Sequence, residues 1–163
     1  MLTGEMTSTI MLTGVVGSTA MNERLGDQQA RQVMRAHDAL LRNHTKIHSG
    51  VEVEFMGDGF MLTFPSAKRA VSTGIAMQKE LMSPEIPLMD TRLAFRMGMT
   101  VGEPILEDQD LFGISVVRAA RIGSMAGAGQ ILTSQIVYGL LSGAGQFKFD
   151  SAGKHSLKDV AEA

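Results

Sequence analysis

The sequence predicts a single α/β or α+β domain built as a sandwich. Three observations predict it. Short apolar, β-branched runs of strand length alternate along the chain with longer segments of helical periodicity. Two of the runs flank the turn GDG, as in a hairpin. A chain of 163 residues also suits one sizeable core, so residues 1–163 are expected to be one domain.

Each element follows in order. Residues 8–13, STIMLT, are apolar enough for a buried strand. Gly17, Ser18 and Thr19 form a tight turn, and Ser18 is the expected N-cap of a short helix stopped by Gly26. Asp27 is expected to cap a second helix over 28–49, where Val33, Ala36, Leu40, Leu41 and Ile47 recur at helical spacing before Gly50 ends it. Residues 51–56 and 60–64 read as a β-hairpin with Asp58 at its tip. Pro65 and Ser66 open a helix over 66–82. The segment 83–90, SPEIPLMD, is the expected exposed loop. Residues 91–106 predict a central strand, 107–113 a polar turn, and 114–126 a helix. GQILTS is a short strand, with Ser134 capping a helix over 135–141. Residues 146–153 and 154–160 read as a closing pair of strands.

Composition excludes several classes. Fifteen basic against 17 acidic residues leave a net charge of −2, which gives no electrostatic case for nucleic acid or an anionic membrane as main partner. The absence of cysteine rules out disulfides and thiolate metal sites. The start MLTGEMTSTIML has neither the basic region nor the apolar length of a secretory signal, and no stretch approaches a membrane span. A cytoplasmic location is therefore the expectation. The 13 methionines are scattered, which points to core filling.

Four constellations bear on chemistry. The turn GVVGST between a strand and a helix suits phosphate, because helix N-terminal N–H groups are unpaired and carry the positive end of the helix dipole. Taken alone it reads first as an ordinary strand-to-helix turn with a Ser cap, and it is not a Walker A loop. In MGDGF, Asp58 is either a turn residue or a metal ligand. In DQDLFGISVVRAARIG, Asp110 precedes a turn, and the following helix carries Arg118 and Arg121, the second of which could clamp a phosphate bidentately or lie on a solvated face. His44 and His48 stand at metal-binding spacing, but no carboxylate neighbours them suitably in sequence, and a solvated face is expected for these histidines. There is no nucleophile elbow and no Ser-His-Asp arrangement.

Taken in this order, GST with ERLGD, RAHDALLR, GDGFMLTFPSAKRAV, VGEPI, DLFG followed by RAARI, and GQILTS resemble the catalytic domain of class III nucleotide cyclases, the adenylate and guanylate cyclases. The resemblance covers roughly residues 8–160. It implies a ferredoxin-like fold, a mixed and mainly antiparallel sheet with flanking helices. It also implies a head-to-tail dimer, homodimeric or heterodimeric, with two sites in the interface cleft. In that family two aspartates hold two divalent ions, Mg²⁺ or Mn²⁺, and a ribose 3′-oxygen displaces pyrophosphate from the α-phosphate of ATP or GTP.

Carried over residue by residue, the second metal aspartate is Asp58, while the first falls on Gly14. The base-reading position of adenylate cyclases falls on Glu54, a guanylate-type residue, and the other base-reading position on Asp110, an adenylate-type one. The ribose-orienting Asn falls on Val117, the transition-state Arg on Arg121, and the triphosphate Lys on Lys158. Gly17, Ser18 and Thr19 match the phosphate-cradling turn. Losing a group that stabilises a transition state commonly costs about 2.7–4 kcal/mol, or about 10²–10³ in rate. With Gly14 and Val117 both degenerate, three readings stand. One is a nucleotide-binding domain with weak or absent cyclisation. Another is an active cyclase with altered metal or base use, or with a partner chain. The third is a non-enzymatic dimerisation module.

Overall fold

The computed structural model describes residues 7–57, 59–82, 94–107, 110–145 and 147–149. Its centre is the strand β1 (Ser8–Val16). Thr9 to Leu12 pair antiparallel with β3 (Phe60–Phe64) on one side, and all of β1 pairs antiparallel with β4 (Ala94–Gly102) on the other. β2 (Val51–Phe55) extends the β3 edge, and β7 (Ile131–Thr133) lies parallel to β4 at the far edge. The order is β2-β3-β1-β4-β7 in a five-stranded, mainly antiparallel sheet. The fold is mixed α and β, as the sequence predicts.

Period-two alternation sorts the strand residues onto two faces. Met11, Phe60, Leu62, Phe64, Phe95, Met97 and Met99 form the main core beneath α2 (Asp27–Ile47), α3 (Ala67–Leu81) and α5 (Gln135–Leu141), which contribute Leu41, Val71, Met77, Val137 and Leu141. Ile10, Leu12 and Met61 face the other way, against Ala119 of α4 (Ile114–Met125). Part of the methionines fill the core: Met11, Met21, Met61, Met77, Met97 and Met99 are buried, whereas Met56, Met82 and Met125 are exposed. α1 (Ser18–Leu25) packs beside α2 through Met21, Ala30 and Val33.

Small residues on β4 fix where α4 lies. A Cβ on Gly98 would stand 2.2 Å from the Gly123 nitrogen, and one on Gly102 would stand 2.3 Å from Ser115 Cβ. Glycine at both positions lets the helix rest directly on the strand, so the register of β4 sets the placement of every α4 side chain.

Several expectations need correction. β1 runs past Gly14 to Val16, because β4 supplies pairing partners that far. Ser18 and Asp27 are first helical residues rather than caps: Gly17 and Gly26 occupy the cap positions, with φ of 91° and 82°, a backbone region that favours glycine. Ser66 does cap α3, accepting from the Arg69 N–H at 3.2 Å, whereas Ser134 stands at the cap of α5 without a side-chain cap bond and accepts instead from Thr100 Oγ1 at 2.8 Å. The long strand ends at Gly102, and the expected polar turn contains β6 (Asp110–Phe112), paired antiparallel with β5 (Ile105–Glu107). Pro104 has no N–H to continue a ladder, which separates the two pieces. Ile47 is exposed, since it closes the last turn of α2 beyond the edge of the core. Phe147 to Phe149 carry no strand, and the rest of the expected closing pair, like the loop at 83–90, lies outside the described residues.

The histidines are not a solvated face. His37 is 1% exposed, edge-on to Phe95 with its Nδ1 3.0 Å from Asp38 Oδ1. His44 Nε2 lies 2.6 Å from Glu80 Oε1, and His48 Nδ1 donates to the His44 carbonyl at 2.8 Å. These contacts, made across α2 and α3 or within α2, engage one nitrogen of each ring, and among the described residues the buried His44 Nδ1 has no hydrogen-bond partner. His155 lies outside the described residues.

Candidate functional site

The site begins where β1 meets the β2–β3 turn. Thr13 Oγ1 accepts from the Phe60 N–H at 2.8 Å, and Gly59 is pressed so closely on the Thr13 carbonyl that a Cβ would stand 1.9 Å away. The turn closes through the Met56 N–H to the Gly59 carbonyl at 2.8 Å. Sequence-distant residues 14 and 59 are thus neighbours at the end of the sheet. Asp58 itself lies outside the described residues.

Beyond Val16 the chain turns at Gly17 into α1. Gly17 and Thr19 are exposed and Ser18 is half-buried. No side chain caps this helix and its first turn carries no acid, so its leading N–H groups keep their capacity for an anion.

Gly14 pairs directly with Arg96 across β1 and β4. Directly opposed residues of an antiparallel pair share a face. A Cβ built on Gly14 meets Arg96 Nε at 3.5 Å and Cγ at 3.8 Å, an ordinary contact distance. The guanidinium also donates from a terminal nitrogen to the Ser124 carbonyl, at 3.3 Å, near the end of α4. Reasoning from sequence passed over Arg96. The available signal was a lone cation in an otherwise apolar run, LAFRMGM, at a position alternation puts on the α4 face.

A second group gathers around β2. Its register slips between Glu52 and Glu54, a bulge at Val53. Glu52 turns to α2, where it takes Arg42 bidentately at 2.8 and 3.2 Å. The Glu52 hydrogen bond raises the Arg42 pKa against the opposing effect of burial. The guanidinium also lies over the rings of Phe55 and Phe60, 5.2 and 5.1 Å from their centroids. Val53 turns the other way, into the cluster with Ile10, Leu12, Met61 and Val116. Glu54 opposes Met61 and so shares its face, the α4 side. β6, which Asp110 opens, pairs with β5 and comes near β2. The Asp110 side chain lies outside what is described.

Val117 and Arg121 sit one turn apart on α4, both half-buried. Gly14 therefore stands beside Gly59 of the β2–β3 turn, while Glu54, Asp110 and Val117 lie on β2, β6 and α4, of which β6 approaches both of the others. Lys158 lies outside the described residues. Among the described residues no three His, Cys, Asp or Glu stand together to hold a metal ion, and no helix is long and apolar enough to cross a membrane.

The family model described as the adenylate and guanylate cyclase catalytic domain matches residues 4–162. The chain is 32% identical over 158 residues to an adenylate cyclase of Mycosarcoma maydis, covering 82% of this chain and 6% of the relative. It is 29% identical over 152 residues to a relative from Rhizobium meliloti (strain 1021), covering 93% of this chain and 26% of that protein. The chain thus spans a minor part of the curated relatives' length. Among solved structures, it superposes with a TM-score of 0.83 on an adenylate/guanylate cyclase/hydrolase from Silicibacter pomeroyi, at 24% identity over 96% of this chain and 91% of that one. It superposes with 0.85 on adenylate cyclases from Trypanosoma brucei in their monomeric state, at 22% identity over 98% and 87% of the two chains.

Proposed function

The chain belongs to the family of adenylate and guanylate cyclase catalytic domains, and we propose that it binds a purine nucleoside triphosphate, ATP or GTP, at a dimer interface while cyclising it weakly or not at all. Residues 1–163 act in this reading as one domain, paired with a second copy or with a related domain. The observation that carries it is Gly14: the strand end beside the β2–β3 turn offers no carboxylate, whereas the backbone turn into α1 is intact.

The division of labour follows from the side chains. The N–H groups of residues 17–19 cradle phosphate oxygens without needing side chains. Glu54 and Asp110 read the base edge through carboxylate acceptors. Arg121 neutralises charge developing on the phosphate, and Lys158 holds the triphosphate tail. Val117 has no group to orient a ribose hydroxyl, so the 3′-oxygen is not held in line. The family's chemistry draws on two Mg²⁺ or Mn²⁺ ions bridged by two aspartates, which polarise phosphate and activate the attacking oxygen. That cradle does not fit these residues, because Asp58 is the single acid left to it and position 14 faces a guanidinium.

The test offers the purified chain ATP, GTP, CTP and UTP in turn with Mn²⁺, reads cyclic product and pyrophosphate, and follows thermal unfolding in parallel. Nucleotide-dependent stabilisation with product at the protein-free blank is the expected result. Substantial product from any nucleotide overturns the loss of cyclisation and identifies the base that Glu54 and Asp110 accept. No stabilisation by any nucleotide leaves the dimerisation module.

A further inference from the structure

We infer that Arg42 is a positioning residue for base recognition: gripping Glu52 and Phe55 from α2, it holds the β2 bulge that turns Glu54 toward α4, and so sets how the site discriminates purine bases. The inference rests on the reading above of Glu54 as a contact of the base.

A regular strand puts residues two apart on one face. Glu52 and Glu54 are two apart, yet Glu52 opposes Leu62 of the main core and Glu54 opposes Met61 of the α4 side. The extra residue at Val53 separates them. It also brings Phe55, which opposes Phe60, onto the same face as Glu52. Arg42 holds both ends of this bulge. Its Nε and a terminal nitrogen donate to the two Glu52 carboxylate oxygens at 2.8 and 3.2 Å. Its guanidinium carbon lies 5.2 Å from the Phe55 ring centroid and 5.1 Å from that of Phe60, two rings 5.0 Å apart. In a regular register Glu54 would oppose Phe60 on the α2 face, and Phe55 would turn away from Arg42. The grip on Glu52 and Phe55 together therefore selects the bulged register.

The grip matters because little else fixes this strand. β2 is the edge of the sheet and pairs with β3 alone, and such a strand can slip. Glu54 is exposed and has no hydrogen-bond or ion-pair partner among the described residues, so its backbone alone aims it. Arg42 by contrast rises from a long helix anchored in the core through its neighbour Leu41. A solvated ion pair by itself holds weakly, but a bidentate fork stacked on two rings adds geometry and attraction that a lysine cannot supply.

The experiment measures dissociation constants of the full chain for GTP, ATP and inorganic triphosphate, which carries no base, in Mn²⁺. The proteins are the parent, Glu54→Gln, Arg42→Gln, Arg42→Lys, Glu52→Gln and the double variant Arg42→Gln with Glu54→Gln. Thermal unfolding checks that each is folded. Glu54→Gln is expected to change the GTP-to-ATP affinity ratio by about tenfold, the scale of a hydrogen bond to a charged group. Arg42→Gln is expected to move that ratio in the same direction by about three- to tenfold, with triphosphate affinity unchanged. Arg42→Lys falls between the parent and Arg42→Gln. The double variant matches Glu54→Gln, because Arg42 acts through Glu54. A folded Arg42→Gln that is less stable but keeps the parent's ratio overturns the inference: Arg42 is then a tie between α2 and β2, and the nucleotide reading stands. An equal loss for GTP, ATP and triphosphate overturns it too, as does a Glu54→Gln protein with the parent's ratio. A parent that binds neither nucleotide overturns the nucleotide reading itself, and the inference with it. Should Arg42→Gln not fold, Glu52→Gln, which removes the charge from the grip and keeps its shape, decides by the same ratio.

Discussion

Gly98 lies so close to the backbone of α4 that a Cβ would collide with it, and replacing that residue by alanine is a direct test of how the site is held. The new Cβ would lie 2.2 Å from the Gly123 nitrogen, 2.5 Å from its Cα and 2.9 Å from the Ala119 carbonyl oxygen. Ordinary van der Waals contact begins at 3.4 Å, so the shortfall is about 1.2 Å, and every obstructing atom is backbone. No rotamer change relieves it; α4 must lift away from β4. Lifting loosens Ala119 and Ile122, which are buried beneath the helix. Overpacking of a core typically costs about 1–3 kcal/mol, and a backbone obstacle puts this case at about 3 kcal/mol. For a domain of this size each kcal/mol lowers Tm by about 2–4 °C, so a fall of about 6–12 °C is expected. Thermal unfolding followed by circular dichroism reads it, with a urea midpoint as a second measure. Gly139→Ala is the control: it lies in α5 with nothing within 4 Å of the built Cβ, and alanine's helix propensity favours it by up to about 1 kcal/mol. A Gly98→Ala protein melting within about 2 °C of the parent would refute the claim that this contact seats the helix.

Further outcomes are expected from smaller changes. Thr13→Val leaves the buried Phe60 N–H without its acceptor, so it should cost about 1–3 kcal/mol in urea unfolding and weaken nucleotide binding through the displaced β2–β3 turn. Ser66→Ala removes the α3 cap and should cost about 1 kcal/mol, with nucleotide affinity unchanged. Gly14→Asp combined with Val117→Asn should bring Mn²⁺-dependent cyclic product above the blank, since each restored group is worth about 10²–10³ in rate. Product absent from that folded double variant would place the block elsewhere, with Glu54 the next residue to exchange.

The local elements of this protein are written in its sequence, because each is decided by neighbours along the chain. Alternation around GDG fixes the β2–β3 hairpin, Ser66 fixes the start of α3, and the spacing of Val33 and Leu41 fixes the buried stripe of α2. The ordered motifs point to the fold that the superposed structures share. In the proposed reading Gly14 and Val117 are departures from the family's pattern, and as single letters at positions the resemblance matches they are legible in the sequence for the same reason.

What the sequence left open depends on residues far apart in the chain meeting. Nothing local says that His37 is buried against Phe95, or that β6 forms inside a polar segment, since both depend on a partner element. The bulge that turns Glu54 to the α4 side is a property of the pairing of β2 with β3, and neither strand alone encodes it. Arg96 acquires its meaning only when β4 lies beside β1 and sets it opposite Gly14. Sequence chose the residues and their local conformation; the register of long-range strand pairing, which a shift of one residue would invert, decided which of them share a face and so which chemistry the site can perform.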